Sequence, residues 1–243
     1  MQKTIFIALD GNYSLEDFIS IAKNLSNSSN EICKQNNIKI AFKIGLEFFC
    51  SFGFYGVNKI EELESDIFLD LKLFDISNTV LGALNSVYKS SQGFIKYTTL
   101  HLLNGNECLE IIQEQSISMK NKIKILGVSL LTSLDDKYLK EQNFNYKNTN
   151  DCVVEMIKKS QDFIDGCICS PLEANLVRNS INKRGFEIIT PGVQMTKILN
   201  DQKRVLTPFE AFNNGATGVV IGRAIMNNEN KINALNNIIK SLM

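Results

Sequence analysis

Phe68–Val80 reads FLDLKLFDISNTV, and its first residues alternate apolar and charged positions before a segment of helical period begins near Ser77. Asp70 and Lys72 stand two apart, so on a strand both side chains leave the same face. Working outward in both directions, the same punctuation recurs. Short β-rich apolar runs are predicted at Thr4–Asp10, Ile40–Gly45, Ile67–Lys72, Phe94–Leu100, Ile123–Ser129, Gly166–Ser170, Glu187–Thr190 and Gly218–Gly222, with longer helical segments between them. Alternation of this kind is the mark of successive βα units and a parallel sheet. Eight units in 243 residues predict a closed (β/α)8 TIM barrel, a single domain over residues 1–243, with an open doubly wound sheet as the alternative that periodicity alone leaves standing. Helix starts fall where the scheme needs them: Ser14 stands three residues before Asp17, Ser77 opens the segment after the third run, and Thr207–Pro208 precedes Glu210. The polar stretch 141–150 reads as a surface insertion after the fifth strand.

Composition narrows the function classes. Lys plus Arg equals Asp plus Glu at 26 each, so no overall field recruits nucleic acid or an anionic membrane surface. No stretch is long and apolar enough to span a bilayer, and the N-terminal apolar run is too short for a secretory signal, so a soluble cytoplasmic protein is expected. Six cysteines without a C-x-x-C pair, and one histidine, give no usual zinc set; reduced, mostly buried thiols are expected.

The chemistry concentrates at predicted strand ends. Asp70, Lys72 and, just beyond the strand, Asp75 offer alternating charges to one small volume, and Lys43 at the end of the second run adds a second ammonium. Such groups are costly to desolvate unless they pair, but opposite charges about 4 Å apart attract by roughly 4 kcal/mol at a near-surface dielectric. An ordinary surface ion-pair cluster is the plainer reading of this triplet taken alone. Asp10, His101, Thr132 and Arg223 also follow strands, at the barrel face where such folds carry their sites. TPG (Thr190–Gly192) and VVIGR (Val219–Arg223) place glycines, amides and a cation where many barrels hold phosphate. His101, followed by two leucines, reads as a structural hydrogen-bonding residue.

These residues resemble the orotidine 5′-phosphate decarboxylase family. FLDLKLFDISNTV looks like its D-x-K-x-x-D core followed by an Asn-Thr pair, and ALD (Ala8–Asp10), FKIG (Phe42–Gly45), LLTS (Leu130–Ser133), ITPG (Ile189–Gly192), DQKRVLTP (Asp201–Pro208) and GVVIGRAI (Gly218–Ile225) follow the family's order and spacing. The resemblance implies decarboxylation of orotidine 5′-phosphate to UMP without cofactor or metal. It further implies a charged tetrad of Lys43, Asp70, Lys72 and Asp75, and a homodimer in which Asp75, Ile76 and Thr79 reach the partner's site. Asp10 and Lys43 would bind ribose, Thr132 would lie beside the pyrimidine, and Pro191, Gln202, Gly222 and Arg223 would line the phosphate end.

Three positions depart from the family pattern. Gln194 stands where many members have Arg, which removes a phosphate cation and implies weaker affinity unless Arg223, Lys197 or Lys203 substitutes. Phe74 and Ser77 stand where His and Pro are frequent; Ser77 is expected to cap the helix and preserve the loop. The phosphosugar decarboxylases and synthases that share the D-x-K-x-x-D strand but use Mg²⁺, and a non-catalytic phosphoribosyl binder on the same scaffold, are the competing readings.

Overall fold

The computed structural model describes residues 2–115, 123–194 and 206–243. Eight parallel strands close into a barrel in sequence order: β1 (Lys3–Ala8), β2 (Ile38–Ile44), β3 (Ile67–Leu73), β4 (Ile95–His101), β5 (Lys124–Val128), β6 (Gly166–Ile168), β7 (Glu187–Thr190) and β8 (Gly218–Ile221). Pairing of β1 with β8, from Thr4↔Gly218 to Ile7↔Ile221, completes the ring and excludes the open sheet.

Residue alternation explains why the barrel is solid. One face of the strands sends Phe6, Ala41, Phe68, Leu126, Val128, Ile168 and Ile189 into a central plug, where Phe6 meets Phe68 and Tyr97 edge-on with ring centroids 5.4 and 5.3 Å apart. The opposite face packs on the helices. Below the plug, Tyr97 and Lys124 both reach Glu187 and close the N-terminal end. Among the described residues the barrel therefore opens at its C-terminal mouth.

Helix α1 (Leu15–Gln35) starts at Ser14 with a reciprocal capping box to Asp17, and the Pro208–Asn213 helix starts at Thr207 with the same device to Glu210, as the sequence predicts. Ser77 does not cap. It is the first residue of α3 (Ser77–Ser90), whose N-cap position is Ile76 with no side-chain cap bond. The nearest substitute is Asp75, whose Oδ1 accepts the Ile76 N–H at 2.7 Å and so occupies the acceptor role at the loop instead. Helix α2 (Leu46–Glu61) ends on a fully buried carboxylate: Glu61 accepts N–H groups of Gln92, Phe94 and Ile95 and the Ser91 hydroxyl, tying α2 to the start of β4. The 141–150 stretch links two helices, Asp136–Glu141 and Thr149–Ser160, with Phe144 and Tyr146 packed on the helical shell. The cysteines are free thiols, all buried except Cys50. No helix among the described residues is long and apolar enough to cross a membrane.

Candidate active site at the C-terminal mouth

A cavity of about 1100 Å³ opens at the C-terminal ends of the strands. Asp10, Lys43, Asp70, Lys72, Thr132, Pro191, Gln194, Gly222 and Arg223 all line it, so residues scattered over more than two hundred positions converge on one cavity. Gln202, Lys197 and Lys203 lie outside the described residues.

Two ion pairs form its floor. Lys72 Nζ donates to Asp70 Oδ2 at 2.7 Å, and Lys43 Nζ lies 3.2 Å from both carboxylate oxygens of Asp10. Asp70 and Lys43 are nearly buried, whereas Lys72 and Asp10 keep more contact with the open mouth. Each buried charge thus has its counter-charge beside it, which offsets the cost of its desolvation. Gly45 is needed for this packing, because a Cβ there would lie 2.8 Å from Lys43 Nζ and 3.3 Å from Asp10 Oδ1.

The route by which Lys72 reaches Asp70 differs from plain strand alternation. Pairing of β3 with β4 slips between Leu69↔Thr98 and Leu73↔Leu100, so β3 carries extra residues against β4, and Lys72 sits at φ 48°. A left-handed non-glycine residue costs about 1–2 kcal/mol. The compensation comes from fully buried Thr99, whose Oγ1 accepts the Lys72 N–H at 2.8 Å and donates to Asp70 Oδ1 at 3.0 Å. One hydroxyl thereby fixes both the strained backbone of the lysine and the carboxylate that holds its ammonium.

The single four-charge cluster expected from the sequence is not closed within one chain. Asp75 does not line the cavity; it is exposed, on the turn between β3 and α3. The bulge at Lys72 and the turn that follows carry the chain outward, so spacing along the sequence does not translate into one shared volume. Ile76 and Thr79 are exposed on the same rim, as is Phe74, and Ile76 has 73% of its surface open.

His101, the last residue of β4, has the structural role expected. Its Nδ1 accepts the Leu103 N–H at 3.2 Å and caps the 3-10 turn Leu102–Asn104, while its ring lies 5.5 Å from that of Phe74. Burial, reinforced by the charge of Lys72, lowers its pKa and keeps the imidazole neutral. At the far side, Gly192 adopts φ 80°, a conformation that suits glycine, and Gln194 donates its N–H to Leu206 O, holding the chain after β7 against the segment before the Pro208–Asn213 helix.

Several contributors carry no sequence signal. Glu47, in the first turn of α2, lines the cavity and accepts the Gly11 N–H at 3.3 Å. Thr99 sits in an apolar strand run where a threonine reads as β-former, and Asn104 reads as an ordinary turn residue. The β3–β4 register, which no local pattern encodes, is what brings Thr99 beneath Lys72.

Comparison with known proteins agrees with this geometry. An orotidine 5′-phosphate decarboxylase of Wolbachia pipientis subsp. Culex pipiens (strain wPip) is 38% identical over 200 residues, 82% of this chain and 86% of that protein. Another, of Wolbachia sp. subsp. Brugia malayi (strain TRS), is 34% identical over 98% of each chain. The crystal structure of orotidine 5′-phosphate decarboxylase from Lactobacillus acidophilus matches with a TM-score of 0.80 at 27% identity, covering 100% of this chain and 99% of that one. The family model for the orotidine 5′-phosphate decarboxylase / HUMPS family matches residues 3–238, and the chain belongs to that family.

Proposed function

We propose that the protein decarboxylates orotidine 5′-phosphate to UMP in pyrimidine biosynthesis, in the cytoplasm, without metal or organic cofactor. The observation that carries this reading is the Lys72 ammonium held at 2.7 Å by Asp70 on the floor of the cavity. Loss of CO₂ from C6 leaves the bonding electron pair on that carbon, and the ring π-system delocalises it poorly. A preorganised ammonium beside C6 stabilises the charge as it develops, then delivers the proton that yields UMP. Asp70 pairs with Lys72 and aims its ammonium, and stands near the departing carboxylate.

Substrate placement follows the lining. Asp10 and Lys43 take the ribose hydroxyls, Thr132 lies beside the pyrimidine, and Pro191, Gln194, Gly222 and Arg223 receive the phosphate; the resemblance to the family adds Gln202 at the phosphate, a residue outside those described. Contacts remote from the breaking bond orient the ring over Lys72. The protein works as a homodimer in which Asp75, Ile76 and Thr79 of each copy complete the partner's site. Support comes from the rim itself, where Phe74 and Ile76 expose apolar surface beside a carboxylate that pairs with neither lysine of its own chain.

The test is the loss of orotidine 5′-phosphate absorbance in the presence of EDTA, with Lys72→Ala in parallel. Turnover by the native chain alone is expected. No turnover of orotidine 5′-phosphate by folded native protein would favour the Mg²⁺-dependent phosphosugar chemistry of the same scaffold, and binding of orotidine 5′-phosphate without turnover would leave a ligand-binding protein.

A further inference from the structure

Asn104 ends the 3-10 turn after β4, outside the cavity, and its amide joins three strangers. Nδ2 donates to Leu73 O at 2.9 Å and to His101 O at 2.8 Å, while Oδ1 accepts the Asp75 N–H at 3.2 Å. Leu73 and Asp75 flank Phe74 on the turn between β3 and α3, so one side chain clamps that turn to the end of β4. Other anchorage of the turn is slight: Phe74, whose ring lies 5.5 Å from that of His101, and Ile76 are exposed, and the Asp75 carboxylate bonds only to the next N–H of its own loop among the hydrogen bonds described. An exposed loop held by few contacts adopts several conformations unless a specific bond selects one.

We infer that Asn104 is a positioning residue that acts in trans: it fixes the Asp75 turn of its own chain for use in the partner's active site. The inference rests on the reading that Asp75 crosses the dimer interface. It predicts an unusual genetic signature, because a defect at Asn104 harms the site of the other copy and spares the site beside it.

The experiment uses full-length dimers assembled from two differently tagged copies. The reference hybrid joins Lys72→Ala with Asp75→Ala; one of its two sites then has both native residues, so about half of native activity should return although each homodimer is inactive. Asn104→Ala and the equally shaped Asn104→Asp, which loses both Nδ2 donations, are expected to lower kcat of their homodimers about tenfold with little change in KM, as a small misplacement of a reacting group does. Hybridised with Lys72→Ala, either variant should recover to about half of native activity, since its intact Lys72 now receives the Asp75 turn from a copy with native Asn104. A homodimer as active as the native enzyme, or a hybrid that stays as low as the Asn104 homodimer while the reference hybrid recovers, would overturn the inference alone. Failure of the reference hybrid to recover would overturn the reading of Asp75 and the inference with it.

Discussion

Replacing Thr99 with valine removes one buried oxygen and almost nothing else. That oxygen accepts the Lys72 N–H at 2.8 Å and donates to Asp70 Oδ1 at 3.0 Å. A buried N–H left without its acceptor costs about 1–3 kcal/mol, and a hydrogen bond to a charged group contributes about 1.5–3 kcal/mol. Because the two bonds share an atom, their losses overlap, and a stability loss of about 3 kcal/mol is expected. The catalytic effect is separable. Lys72 holds a left-handed φ of 48° against a strain of about 1–2 kcal/mol, and such strain persists only while neighbours over-determine it. Without the threonine, the backbone relaxes toward extended strand and carries Nζ away from its aim. A shift of about 1 Å lowers kcat up to about 100-fold, whereas KM, set mainly by the ribose and phosphate ends, changes little. Thr99→Ser keeps the oxygen and should retain both properties. Urea unfolding at fixed protein concentration, alongside steady-state turnover, makes the comparison. A valine variant within twofold of native kcat, at native stability, would refute the idea that this hydroxyl holds the lysine.

Two further outcomes are expected. Gln194→Arg should lower KM about tenfold by adding a charge-assisted bond to the phosphate, and an unchanged KM in steady-state assays would show that the position does not read the phosphate. His101 has its pKa lowered from 6.5 by burial and by Lys72, so below pH 6.5 the unfolded chain binds the proton first and stability falls as pH falls, while above it the residue adds no slope. His101→Gln should therefore lose less stability than the native chain between about pH 7.5 and pH 5.5 in urea titrations; equal slopes would remove His101 as a source of acid sensitivity.

Sequence alone determined the eight βα units, because strand and helix periodicity are local properties written in neighbouring residues, and the strand-end position of Asp10, Lys43, Asp70, Lys72, Thr132 and Arg223 follows once those units close. The capping boxes at Ser14 and Thr207 were legible for the same reason, since three residues carry the whole device. Tertiary structure decided what depends on register between distant strands. The slip of β3 against β4 turned Lys72 left-handed, brought Thr99 under it from 27 positions away, and swung Asp75 out of its own cavity. Ser77 failed as a cap because the chain enters α3 one residue earlier than its polar signal suggests. Lys43 pairs with Asp10, opposite the end of β1, while the Asp70 carboxylate is taken by Lys72 and Thr99. Charge spacing in a sequence specifies which groups can pair; the path of the backbone, fixed by barrel closure and packing, selects which of them do.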